Sequence, residues 1–396
     1  MKFFLVVLAL AAVAALWFAF RPRPARPARA RTATPPRAAP AKAEARPAFK
    51  DEMLPAIAAI LAEGPSELDA AAMPEMLQEF HLLGPDELEP LQREELAARL
   101  SAIPLPPRST QQLMSPEFMA NAATREFTDL VTREPLLSAK VIGRVNSAFY
   151  GLASPIVSVA HAVTYLGMNA VRNMALQFTL EQAFASEDPE LQEFHARLFD
   201  AGTIAAELTA VLAPKLNVRD VGAASTQTVL TFLGDFAMPA LLPPRSAIDH
   251  WPLGLLERTS NEQFALGANA MIVGRLLMEA WELPATVSND VADIHRVLVT
   301  PAGESISGRE ARLALCYACA RLAESIALGR VHDPADLDLQ GAGAAEFHHL
   351  QGYLAKPPLA RLHEYLRAGD VKLAVARMIA AVARGREAAH QRPRTV

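Results

Sequence analysis

The sequence predicts an all-α protein. Apolar residues recur at three- and four-residue spacing through segment after segment, and the alternation of a half-buried strand is hard to find anywhere. The bias toward alanine, leucine and arginine, all strong helix formers, points the same way. With 396 residues, 51% of them apolar, the chain can bury at least one large core and divide into two or three modules.

The first element is "FFLVVLALAAVAALWFAF", Phe3 to Phe20, 18 consecutive apolar residues. As a helix it spans about 27 Å, just enough to cross a hydrocarbon core. A cleaved signal peptide is the rival reading. Against it, the run is long for one, and bulky "WFAF" and then "RPRPARPARAR" stand where a small-residue cleavage site belongs. Arg21, Arg23, Arg26, Arg29 and Arg31 follow the run, against Lys2 and the amino terminus before it, and hold the C-terminal side in the cytoplasm. Residues 1–20 are therefore expected to be a single-pass anchor in the inner membrane, with the rest of the chain facing the cytoplasm.

Residues 21–48, rich in proline, alanine and arginine without a hydrophobic period, read as a semi-extended linker. Its arginines suit anionic headgroups as well as a solvated spacer that fixes topology. Up to Pro47 there are nine basic residues and one acid; since the whole chain carries −5, the remainder is strongly acidic. That argues against a nucleic-acid partner, whose phosphates require clustered Lys and Arg. Residues 49–98 predict a helical extension with breaks at Gly64-Pro65 and Gly84-Pro85. In "PDELEPLQREELAARL" acids precede arginines, as the helix dipole favours.

The next stretch resolves into three helices. "EPLLSAKVIGRVNSAF" turns Leu136, Ala139, Val141 and Val145 toward a core and is expected to stop at Gly151. Ser154-Pro155 supplies an N-cap and a first-position proline, Val159, Val163 and Leu166 form a stripe at i, i+4, i+7, and Gly167 closes the helix. Asn169 is expected to cap the third, with Val171, Met174, Ala175 and Phe178 on its apolar face. Asn146, Ser147, Tyr150 and Asn173 are left over as polar residues, suited to satisfying buried backbone groups at the turns. His161, alone in its helix, reads as a surface histidine.

Taken whole, "EPLLSAKVIGRVNSAFYGLASPIVSVAHAVTYLGMNAVRNMAL" resembles the diagnostic segment of the HDOD family, the HD-related output domains of bacterial signalling proteins. The residues that carry the likeness are Asn146, Ser147, Tyr150, Gly151, Pro155, Gly167, Arg172 and Asn173. Upstream, "IPLPPRSTQQLM" resembles the family's first helix. Downstream, "GRLLMEAWELP", with Gly274, Trp281 and Pro284, resembles another family segment. The resemblance covers residues 99–330 and implies a multi-helix, HD-like bundle.

HD enzymes hydrolyse phosphate esters with a metal held by several histidines and aspartates, among them an adjacent His-Asp pair. The matching place here is "TVLTFLGDFAMPALL", where Gly234-Asp235 keeps the aspartate and loses the histidine. Asp200 stands near another ligand position, with His195 five residues earlier and expected to face elsewhere; Asn269 stands at a third, where relatives often have histidine. One aspartate does not make a metal site, so Asp235 reads as a polar residue at a helix end, and neither a cofactor nor enzymatic activity is expected.

Cys316 and Cys319 lie in "RLALCYACARLAESIAL", one continuous helix without a second C-x-x-C, and read as core cysteines rather than a redox or zinc motif. His348-His349 diverge by about 100° on a helix and read as a solvated face. Residues 331–396 predict further helices, "PPLARLHEYLRAGDVKLAVARMIAAVARG", and a fraying tail. The resemblance implies a non-catalytic signalling or scaffolding protein that acts on a protein partner. The rivals are a nucleotide sensor using a groove near Asp200, Asp235 and Asn269, and a divergent metal-dependent phosphohydrolase.

Overall fold

Caps and apolar stripes set the helices in the computed structural model, which describes residues 73–390 except 116–117, 119–120, 148–149, 151, 153, 337–338 and 340–344. These lie within one compact unit, residues 70–396. The proposed membrane run, the linker, residues 49–72 of the extension and the last six residues lie outside the described residues. Among the described residues there is no strand, and no helix is long and apolar enough to cross a membrane.

Helices α1 (Glu75–Gln78) and α2 (Pro90–Leu100) come first. Glu87 Oε2 accepts from the Gly84 N–H at 2.6 Å and closes a short 3-10 turn over Pro85–Glu87 at the break expected at Gly84-Pro85, so the regular helix begins only at Pro90. Then follow α3 (Arg108–Met114), α4 (Thr124–Thr132), α5 (Pro135–Val145), α6 (Val159–Leu166) and α7 (Met168–Ala183). They close over one apolar cluster that includes Leu113, Phe127, Val131, Val141, Val145, Ile156, Val163 and Ala175.

The larger core begins with α8 (Pro189–Lys215), 27 residues capped by the Asp188 side chain. Next come α9 (Val221–Leu230), α10 (Leu233–Ala237), α11 (Pro244–His250), α12 (Leu255–Leu266), α13 (Ala270–Ala280) and α14 (Ala285–Arg296). Helix α15 (Gly308–Ala327) is a second long rod, opened by a capping box between Ser307 and Glu310. Helices α8 and α15 form the most extensive helix pair. Ala201 and Ala205 on one, Ala314 and Ala318 on the other, are all fully buried, and side chains this small let the two axes approach closely. Helix α7 serves both cores, with Met174 and Phe178 in the smaller and Leu176 and Leu180 in the larger. Helices α16 (His348–Leu354), α17 (Leu362–Leu366) and α18 (Gly369–His390) complete the larger core with Leu350, Leu366, Val371 and Val375; Leu77, Leu96 and Leu100 join it from the other end of the chain.

Several expected boundaries and faces are corrected. In α5 the buried stripe is Leu137, Val141 and Val145, at i, i+4, i+8, while Leu136 and Ala139 are exposed; the apolar run was ambiguous by one residue and packing on α4 and α6 chose the register. The helix ends at Val145, and Gly151 lies outside the described residues. Ser158, not Ser154, caps α6, accepting from the His161 N–H, and Pro155 sits in the exposed segment before it. Gly167, at φ +85°, both ends α6 and starts α7, so Asn169 is already inside the first turn. The stripe of Val159, Val163 and Leu166, the apolar face of α7 and exposed His161 follow the sequence reading.

Candidate functional site

Asn146, the residue after α5, pins the chain that leads into α6. Its Nδ2 donates to Ile142 O (2.9 Å) and Ile156 O (2.7 Å), and its Oδ1 accepts from Ile156 N (2.8 Å). A short amide can donate to the carbonyl and accept from the N–H of one residue at once, here both backbone groups of Ile156. Asn146→Ala is expected to destabilise the protein by about 1–3 kcal/mol, measured by urea unfolding, since the N–H and C=O of buried Ile156 both lose the Asn146 amide.

Asn173 and Tyr150 each bond a side chain of another helix. Asn173 Oδ1 accepts from Thr226 Oγ1 on α9 at 3.2 Å. Tyr150 OH donates to Glu207 Oε1 on α8 at 3.2 Å, and burial raises the pKa of both groups. Ser147 Oγ is buried without a hydrogen-bond partner. Arg172 is 2% exposed and donates to Asn169 Oδ1 at 3.0 Å; burial lowers its pKa to about 10.

At Gly234, which the sequence reading compares with the histidine of an HD pair, helix packing explains the glycine. A Cβ on Gly234 would lie 1.7 Å from Ala270 O and 2.5 Å from Ala270 C. Gly274, one turn on, brings its own missing Cβ to 3.0 Å from Gly234 N, so α10 and α13 touch backbone to backbone. No side chain, let alone an imidazole, fits there.

Asp235 lies in the first turn of short α10, at the helix end the sequence suggested, and is 3% exposed beside Arg258. Arg258 Nε stands 3.5 Å from Asp235 Oδ1, and its Nη1 donates to Glu324 Oε1 (2.6 Å) and Trp251 O (2.8 Å). Arg321 pairs with the other Glu324 oxygen. Glu262 accepts from Ala270 N at 2.8 Å. His295 Nε2 lies 3.2 Å from Thr231 O, so that nitrogen donates, and burial lowers the ring's pKa to about 3. Asn269 caps α13 through Ile272 N (3.0 Å) and donates to Leu83 O and Gln263 Oε1. The cavity between Asp235, Arg258, Asn269 and His295 is about 10 Å³, room for one water at most. These residues do not fit a catalytic metal: Gly234 has no donor, Asn269 and His295 are engaged with backbone, and the carboxylates answer arginines. Among the described residues no group of three or more His, Cys, Asp or Glu is placed to hold a metal ion.

Three carboxyls here face two guanidiniums in the interior. Arg258 and Arg321 hold the Glu324 pKa down despite burial, whereas burial pushes Glu262 up to about 8, with Asp235 pushing the same way. Glu262 therefore keeps its proton at neutral pH. An acid whose pKa rises on folding stabilises fully below its unfolded value, near 4.5, and loses that contribution as pH climbs to about 8. Glu262→Gln keeps the acceptor for Ala270 N and has no proton to lose. Its stability is expected to fall less than the wild type's between pH 5 and 8, by roughly 3 kcal/mol in urea titrations.

Asp200 is not brought to Asp235 and Asn269. It lies on α8 along a separate trough of about 1770 Å³ between α5, α7 and α8, which also takes in Ser147, Tyr150, Asn173 and His195. His195 is packed against the rings of Phe184, Phe194 and Phe236, and burial lowers its pKa. His349 corrects the solvated-face reading: it is 8% exposed, turned into the core beside Leu350. Cys316 and Cys319 are fully buried free thiols in α15, Cys316 pushed up to about 12 by burial. Trp281 is buried at the end of α13, and Pro284 starts α14.

Sequence reasoning missed Arg258, Glu262, His295, Arg321 and Glu324. A readable signal existed in the last two, a basic and an acidic residue three apart inside the otherwise apolar "LALCYACARLAESIAL".

Residues 103–297 match the family model of the HDOD domain. Among solved structures, an HDOD domain protein of unknown function from Geobacter sulfurreducens shares the fold at a TM-score of 0.51 and 16% identity, over 74% of this chain and 98% of its own. A candidate phosphohydrolase from Shewanella amazonensis has a TM-score of 0.48 at 18% identity, covering 72% of this chain and 97% of its own. For a candidate signal transduction protein from Marinobacter aquaeolei the values are 0.45 and 20%, over 77% and 64%. No curated protein matches the chain.

Proposed function

Starting from a chain that carries an HDOD domain over residues 103–297, we propose that this protein is a non-catalytic signalling scaffold, anchored in the inner membrane and facing the cytoplasm, that works by binding a protein partner. The observation that carries the non-catalytic part is Gly234, closed against the Ala270 backbone where HD chemistry needs a histidine. Asp235 then serves Arg258 rather than a cation. Anchoring is supported by the apolar run Phe3 to Phe20 and the arginines after it. Confinement to the membrane raises the domain's local concentration toward partners held there, which is a function in its own right.

Affinity purification from membranes, with and without residues 1–47, tests the proposal. A partner recovered with the full chain and lost on deletion supports it; a periplasmic signal from a C-terminal alkaline phosphatase fusion overturns the orientation. Stoichiometric iron, manganese or zinc in the purified protein would overturn the non-catalytic reading. Against the nucleotide-sensor alternative stand the lining of the trough, which includes Asp200 but neither Asp235 nor Asn269, and the size of the cavity beside those two, about 10 Å³.

A further inference from the structure

The trough between α5, α7 and α8 runs along one face of α7. Its floor is one face of α7, from Ala170 through Asn173, Gln177 and Glu181 to Phe184, about 21 Å at 1.5 Å per residue. The trough above that face is about 1770 Å³, and a helix with its side chains is about 10–12 Å across. Helices α5 and α8 each pack on α7 as walls. Together they make three helices of a bundle with the fourth place open.

The walls differ in charge, α5 basic and α8 mainly acidic, with Arg197 among the α8 acids. Helix α5 contributes Lys140 and Arg144, four residues apart, and α8 contributes Glu193, Asp200 and Glu207, each seven residues from the next and so on one side of the helix. Lys140 reaches Glu181 on the floor at 3.6 Å and Arg197 pairs with Glu193, both partly exposed contacts that a competing charge can exchange with. Gln177 on the floor is 8% exposed, with Oε1 accepting from Thr203 and Nε2 lacking a partner.

Gly143 is the most telling residue. It lies inside α5 and lines the trough, and a Cβ built on it meets nothing within 4 Å. Glycine in a helix costs about 0.5–1 kcal/mol relative to alanine, and no packing among the described residues demands it. With Ala139 and Ser147 it leaves a low stripe at i, i+4, i+8, over which another helix can approach to about 8–10 Å between axes.

We infer that this trough receives one helix of the protein partner, small or polar on its inner face, with acidic residues along the flank toward α5 and basic residues along the flank toward α8. The inference rests on the scaffold reading above and names its docking site. Recognition is of the helix-in-groove kind, with the charged walls fixing direction and register.

The test places the photocrosslinking residue p-benzoylphenylalanine in the full chain at Gly143 or Ala196, on opposite walls, and at Phe264, which is 95% exposed on α12, as control. Crosslinked segments are mapped by mass spectrometry. The expected result is the same helical segment of the same protein from both walls and not from the control, its acids and bases on opposite flanks. Gly143→Leu, which fills the trough with a better helix former, is expected to cut the Ala196 adduct more than tenfold at an unchanged or raised melting temperature. No adduct from either wall, different proteins from the two walls, a segment without that charge pattern, or an adduct indifferent to Gly143→Leu each overturns the docking site. If affinity purification still recovers the same partner from Gly143→Leu, the scaffold reading survives that failure. If the wild-type chain recovers no partner at all, the scaffold reading itself fails.

Discussion

Gly234→Ala is expected to lower stability by about 3–5 kcal/mol, at the upper end for a single substitution. The added Cβ would sit 1.7 Å from Ala270 O. That oxygen belongs to a helix backbone and cannot rotate away as a side-chain tip does, so α10 and α13 must separate. Separation opens the packing around Phe232, Leu233, Ile272 and Val273, all at most 1% exposed. Gly234→His, which restores the lost HD pair on paper, is expected to be worse and to bind no metal. Urea unfolding with circular dichroism measures the first. A Gly234→Ala variant within 1 kcal/mol of wild type would show that the two helices are not in backbone contact.

Arg258→Met is the second large effect, expected at about 3–5 kcal/mol, the loss typical of stranding a buried charge. Arg258 is 2% exposed, stands beside Asp235, Glu262 and Glu324, and donates to Trp251 O. Without it Glu324 keeps only Arg321, and the Trp251 carbonyl loses its donor. The loss should be smaller in a Glu324→Gln background, because one stranded carboxylate has been neutralised; a thermodynamic cycle over the two sites measures that coupling. Equal losses in both backgrounds would mean that the guanidinium serves packing alone.

Much of the fold was legible because helix formation leaves local marks. The apolar period of α6 and α7 identified their buried faces, and Gly167 ends α6 at φ +85°, a conformation that favours glycine. The continuous helix through Cys316 and Cys319 was readable for the same reason. Boundaries near proline were less legible: Ser154-Pro155 looks like a cap, yet Ser158 caps α6 because Asn146 binds the Ile156 peptide and holds the chain extended up to it. In α5, Leu136 and Leu137 are equal candidates by hydrophobicity, and only the position of α4 and α6 distinguishes the exposed one from the buried one.

The candidate site divides the same way. That glycine rather than histidine precedes Asp235 could be read from the chain itself, because residue types are local information. What surrounds Asp235 was not visible. Arg258, Glu262, Arg321 and Glu324 come from two helices far apart in sequence and look like ordinary surface charges until α12 and α15 bury them against each other. The trough was hidden for a similar reason, since Lys140, Gly143, Asp200 and Glu207 share it only because α5 and α8 both pack on α7. Helical period and ligand chemistry are written in short stretches of residues. Which charges are desolvated, and which faces are left open, depends on long-range packing that no local pattern records.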